Sequence, residues 1–154
     1  MKRVQIIIFG ILALMIVCSI FSNSAQPRSV SAGRSSTLMD VLKPLLDPHD
    51  RIDADVFHHY LRKAAHFTEF AALGFSVMGL TDCVSWRRKR RRFLTPLLAS
   101  LLVAAADEAI QLFAPLRGPG LGDVLLDFCG AAFGVACMAL LTLLLRRIKK
   151  TAPY

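Results

Sequence analysis

The sequence predicts an all-α fold: a transmembrane bundle of four helices, with short interfacial helices in its first outer loop. Three observations carry that prediction. Of the 154 residues, 55% are hydrophobic and the mean hydropathy is +0.50, too apolar for an ordinary soluble domain. The apolar residues fall in four blocks, each close to the roughly 20 helical residues that a bilayer core of about 30 Å requires. The basic residues collect at alternate ends of these blocks. Residues 1–154 read as a single membrane domain, with no internal repeat and no second soluble domain.

The first block, residues 4–21, is nearly free of polar residues. Its basic start, Lys2-Arg3, and the small-residue run Ser22-Asn23-Ser24-Ala25 would suit a signal peptide. The apolar stretch is longer than the usual signal core of about 7–15 residues, so a retained helix is expected. An outer loop, residues 22–62, follows and divides at Pro27, Pro44 and Pro48. Gln26–Ser36 is rich in Ser, Gly and Arg and should be irregular. From Thr37 onward, Leu38, Val41, Leu42, Leu45 and Leu46 recur at helical spacing. Thr37 with Asp40 resembles a capping box, although Pro44 limits regular helix. This segment is expected to lie on the outer membrane surface. A short stretch from Asp53 through Val56, Phe57, Tyr60 and Leu61 leads into the second span.

The second, third and fourth spans are placed at residues 64–84, 93–113 and 124–145. They mix Leu, Ala, Val and Phe runs with ionisable groups: Lys63, His66 and Glu69 on the second, Asp107 and Glu108 with Gln111 on the third, Asp123 and Asp127 at the start of the fourth. A charge deep in a bilayer costs about 2.5–3.5 kcal/mol even on insertion scales. Seven isolated ones would cost on the order of 20 kcal/mol, more than the usual stability of about 5–15 kcal/mol of a whole domain. They must meet each other, water or a ligand. At about 100° per residue, Asp123, Asp127, Gly130 and Gly134 share one narrow stripe over a small-residue seam, where helices can approach closely. Ser100, Ala104, Asp107, Glu108 and Gln111 form a second stripe, and Lys63, His66, Glu69, Phe70, Leu73 and Gly74 a broader third. Each polar stripe sits at the outer end of its helix, so one outward-opening pocket is expected. Asp123 and Asp127, four apart, place two like charges together, which calls for a cation or a shared proton nearby.

The net charge of +8 raises a nucleic-acid reading, but its distribution excludes one. Twelve basic residues, at Lys2-Arg3, within Trp86–Arg92 and at Arg146, Arg147, Lys149 and Lys150, fall on one side of the four spans. Seven remain on the other, among five loop acids. This is the positive-inside pattern: a multi-pass protein of the cell membrane, with both termini cytoplasmic and the Arg cluster touching anionic lipid. Membrane lipids are the expected surroundings, and nucleic acid is not an expected partner.

Other candidates are weaker. Cys18, Cys83, Cys129 and Cys137 all fall within spans, which argues against a disulfide framework or a zinc site. His58-His59 could ligate metal with His49, but adjacent residues on a helix face different directions. Gly118-Pro119-Gly120-x-Gly122 lacks the Lys and the strand context of a phosphate loop and reads as a tight turn. No cofactor is implied. A divalent metal held by carboxylates and His66 is conceivable, yet no HExxH or comparable motif is present and no metal ligand is assigned.

The polar anchors carry a resemblance. Arg62-Lys63-x-x-His66-Phe67-x-Glu69-Phe70-x-x-Leu73-Gly74, then Asp107-Glu108-x-x-Gln111-x-Phe113-x-Pro115-x-Arg117, then Asp123-Val124-x-x-Asp127-x-x-Gly130-Ala131 resemble the VanZ-like family of bacterial membrane proteins. Phe21-Ser22-Asn23-Ser24-Ala25-Gln26 is similar to that family's exit from its first span. Phe70 stands where the family usually has Tyr, and Asp127 where Asn or Asp is usual; neither departure removes a charged anchor. The family takes its name from a factor associated with low-level resistance to the glycopeptide teicoplanin. The resemblance therefore implies a role at the cell envelope linked to glycopeptide tolerance, without implying a reaction.

Three uses of the polar groups stay open on the residues alone. Lys63 and Arg117 could pair with Glu69, Asp107, Glu108, Asp123 or Asp127 as structural ties, though five acids against two bases leave such a network incompletely neutralised, and buried pairs barely repay their desolvation. Alternatively, His66 with Glu69 could supply a general base and its orienting group. Asp107 and Glu108 would then act as acid, while Lys63, Gln111, Arg117, Asp123 and Asp127 hold a lipid-linked envelope precursor. Finally, the pocket could bind a cationic envelope component or a glycopeptide, or relay protons, without chemistry.

Overall fold

The computed structural model describes residues 2–26, 40–47, 49, 51–84, 89–113 and 120–151. The fold is all-helical: α1 spans Lys2–Ser24, α2 is a short helix over residues 40–46, α3 spans Ala54–Val84, α4 Lys89–Gln111 and α5 Leu121–Thr151. Four of these helices, α1, α3, α4 and α5, are long and apolar enough to cross a membrane.

Several boundaries differ from the sequence reading. The stretch expected to lead from Asp53 into the second span forms, from Ala54 on, the first turns of α3. Asp53 accepts a hydrogen bond from the Asp55 backbone N–H at 2.9 Å, the N-cap contact that starts a helix. Helix therefore begins at residue 54, within the stretch 22–62 read as loop, and runs on through the expected start of the second span at residue 64. At its other end α4 stops at Gln111, and Leu112–Phe113 form a turn. The last helix runs through the basic tail to Thr151. Of the proposed interfacial helices, residues 40–46 are helical, and Val41, Leu45 and Leu46 on this segment are exposed. Thr37, the proposed cap, lies outside the described residues.

The chain runs up, down, up and down. Phe9 near the start of α1 meets Gly79 near the end of α3, while Ser19 and Asn23 meet Glu69, so these two helices are antiparallel. Contacts between α3 and α5 rise together in number (Lys63 with Asp123, Phe67 with Gly130, Ala71 with Gly134), so this pair is parallel. It is also the closest in the bundle. A methyl group added at Gly130 would sit 2.5 Å from the Phe67 carbonyl oxygen, and one at Gly134 would overlap that of Ala71. Only glycine lets the backbones come this near, which is how helices gain packing in lipid, where burial alone drives little association. Ile20, Phe70, Leu73, Ala104 and Ala131 fill the core beneath the polar end, and Met78, Val135 and Ala139 the core further along. The outward faces carry Ile7, Ile11, Leu98, Leu102, Leu125 and Leu144, all exposed, as a lipid-facing surface requires.

Candidate functional site

The close α3–α5 seam fixes the site. One turn from the Gly130–Phe67 approach, His66 on α3 faces Asp127 on α5, with Nδ1 and Oδ1 3.8 Å apart. One turn further out, Lys63 Nζ lies 3.1 Å from Asp123 Oδ1, both partly exposed. Asp123 also stands in the first turn of α5, where the partial positive charge of the helix end favours a carboxylate. Because the two helices are parallel and in register, Lys63 and His66 on α3 each meet one acid on α5.

The α4 stripe turns inward along its whole length: Ser100, Ala104 and Asp107 have no exposed surface, and Gln111 keeps 6%. Asp107 Oδ2 accepts a hydrogen bond from Gln111 Nε2 at 2.9 Å, one helical turn on. The same amide points at Ser24 Oγ at the end of α1, at a long 3.5 Å. Glu108 has another task. Its carboxylate accepts from the Gly120 backbone N–H just ahead of α5, satisfying one of the donors a helix start leaves open. Glu69 turns to α1, accepting from Asn23 Nδ2 at 2.9 Å and from Ser19 Oγ at 3.4 Å.

The structure thus brings Lys63, His66, Asp107, Gln111, Asp123 and Asp127 together at one end of the bundle, with Glu69 and Glu108 held on its flanks. His66 is opposed by Asp127, while Glu69, expected to orient it, serves α1. Arg117 lies outside the described residues. Arg62, Lys63, His66, Gln111, Asp123, Leu126 and Asp127 line a cavity with ≈ 270 Å³ of empty space, counting the part open to solvent. Asp127 Oδ1 on its wall, and Asp107 Oδ1 behind the Gln111 that lines it, are buried and make no hydrogen bond among the described residues. Asp107 has no exposed surface and Asp127 2%. Buried carboxylate oxygens are rarely left so in a finished network.

Sequence reasoning missed two contributions. Ser19, Asn23 and Ser24 on α1 belong to the polar end, and their only signal is the polar run closing an otherwise apolar helix. At the opposite end, Asp82 on α3 receives Arg92 of α4, with Nε–Oδ1 2.5 Å and Nη2–Oδ2 2.9 Å, and Thr142 of α5 at 3.1 Å. His49 and His59 are exposed and His58 is half-buried. The four cysteines are free.

A family model described as VanZ/LLP1 matches residues 9–144, most of the chain. No curated protein matches it, and no solved structure does.

Proposed function

The chain belongs to the VanZ/LLP1 family and is a multi-pass membrane protein. From that premise, we propose that its polar end opens at the outer face of the cell membrane, with both termini cytoplasmic, and receives the polar headgroup of an envelope component. In that role the protein contributes to tolerance of glycopeptide antibiotics. The whole chain acts as one domain, since all four spanning helices supply polar groups to the same end.

One observation carries this reading: Asp107 Oδ1 is fully buried with no hydrogen bond among the described residues, and Asp127 Oδ1 meets only His66 Nδ1 at 3.8 Å. A network built only to tie helices together would give Asp107 Oδ1 a donor, because leaving a buried charge incompletely paired is costly. An oxygen held bare at the end of a pocket suits an incoming partner. Arg62 and Lys63 at the rim would meet the phosphate or carboxylate of a lipid-linked precursor by charge-assisted hydrogen bonds. A second reading, acid/base catalysis on that precursor, is favoured by the His66–Asp127 pair, which has the arrangement of a base and its orienting carboxylate.

The test replaces Asp107 with Asn and, separately, Glu69 with Gln. Folded yield in detergent and the teicoplanin susceptibility of expressing cells are measured together. We expect Asp107→Asn to retain yield and lose tolerance; parallel decline of both in each variant would leave only structural pairing. Mass spectrometry of envelope lipids incubated with the purified protein then separates turnover from binding.

A further inference from the structure

We infer that His66, Asp107 and Asp127 form a binding site for one first-row divalent transition-metal ion, of which Zn²⁺ is the best match. The three residues come from three helices, α3, α4 and α5. One potential ligand atom from each lies within 4.8 Å of the other two. Around a tetrahedral ion with bonds of about 2.1 Å, ligand atoms stand about 3.4 Å apart. The present spacing of at most 4.8 Å exceeds that value by no more than about 1.4 Å, a difference of the size that side-chain rotation spans.

Two further observations distinguish this cluster from a collection of acids. The first is that one buried carboxylate oxygen on each of Asp107 and Asp127 makes no hydrogen bond among the described residues, that of Asp127 meeting only His66 Nδ1 at 3.8 Å. Asp107 has no exposed surface, its Oδ2 is taken by Gln111, and its Oδ1 has no hydrogen bond among the described residues. The second is charge. A neutral imidazole and two carboxylates carry a net charge of two negative units, which a divalent cation cancels. Cancelling it matters most where the surroundings are apolar, since isolated buried charges are the costliest groups in a fold. Lys63 does not do this, because it is engaged with Asp123 one turn further out.

The donor set selects the kind of ion. Imidazole favours the later transition metals, and carboxylates accept them. Mg²⁺ prefers six oxygens and keeps its waters, a shell that a site containing imidazole and only two carboxylates serves poorly. Three protein ligands leave a fourth position facing the cavity, the arrangement of zinc sites that take an exchangeable ligand. The Gln111 amide on Asp107 Oδ2 is the outer partner that orients a ligating carboxylate. Gly130 contributes indirectly, because its close approach to Phe67 helps to hold His66 and Asp127 within reach of one ion.

The inference concerns the same end of the bundle as the proposed function but rests on donor geometry alone, so ion binding and drug tolerance can each fail separately. The experiment uses the full chain purified in detergent, stripped with chelator and dialysed against Zn²⁺, with bound metal measured by mass spectrometry. We expect one Zn²⁺ per chain. Asp127→Asn and His66→Ala should each reduce bound metal to background, and Gln111→Leu should weaken affinity by about 10–100-fold. Thr142→Val, at the opposite end of the bundle beside Asp82, should bind as the parent does. Should Asp127→Asn or His66→Ala fail to fold, Asp107→His supplies the control, because a substituted ligand should retain the ion. Wild-type protein that is folded yet takes up no Zn²⁺ would overturn the assignment. So would uptake unchanged in Asp127→Asn and His66→Ala, or binding of Mg²⁺ in preference to Zn²⁺.

Discussion

Two residues at opposite ends of the bundle show how far a single side chain can be decisive. Asp82 is 8% exposed at its side chain and Arg92 12%, and Thr142 adds a hydrogen bond from α5. The trio ties α3, α4 and α5 at the end away from the polar cavity. Removing one partner of such a pair leaves the other charge uncompensated, at a cost of about 3–5 kcal/mol. Asp82→Asn is therefore expected to lower the melting temperature in detergent clearly, and Thr142→Val only slightly. In the loop between α2 and α3, Asp47 accepts backbone N–H bonds from Arg51 at 3.0 Å and from Ile52 at 2.7 Å. Those bonds, with Lys43 nearby, hold its carboxyl below the ordinary value of 3.8. A carboxylate whose folded value is depressed contributes stability that is complete above its unfolded pKa and is lost as pH falls through the folded one. Protection of the Arg51 and Ile52 amides relative to neighbouring amides should thus be constant around neutral pH and decline below about pH 4.

At the scale of the element, the α3–α5 pair sets both stability and chemistry. Gly74, Gly130 and Gly134 are each positions where an added methyl group would run into the backbone of the opposite helix. Over-filling a packed contact costs about 1–3 kcal/mol, and here the obstruction is backbone, which cannot rotate aside. Gly134→Val should accordingly lower thermal stability in detergent by at least that amount. It should also separate His66 from Asp127, since their 3.8 Å distance depends on the same approach. A methyl at Gly10, where nothing lies within 4 Å, should be neutral in the same assay. Pro96 lies inside α4 and is fully buried. It removes one helical hydrogen bond, a loss of about 3 kcal/mol in an ordinary helix interior. Its retention in the interior is met by packing of the surrounding helices.

For the molecule as a whole, the proposed orientation follows from the asymmetric distribution of basic residues. It predicts that tags at either end are protected from a membrane-impermeant reagent in intact cells. A cysteine introduced by Leu45→Cys, on the exposed face of α2, should be modified from outside. The reverse pattern would invert the bundle and move the polar cavity to the cytoplasmic face. Number of spans, their approximate limits and the buried stripes on α4 and α5 were all legible from the sequence. Periodicity reports which face of a helix is polar, and Ser100, Asp107 and Gln111 are indeed buried on one side of α4. Boundaries were less legible, because Ala54–Leu61 is too polar to read as span, yet forms helix once Asp53 caps it.

Composition and periodicity determined that this is a four-span helical protein with its polar groups gathered toward one end. Both are local properties, set by the length of each apolar run and the pitch of a helix. Tertiary structure alone decided the pairings: Asp127 rather than Glu69 opposite His66, Glu108 against the start of α5, Asp82 clamped by Arg92. Partner choice depends on register between helices, and register is fixed where Gly130 and Gly134 let two backbones touch.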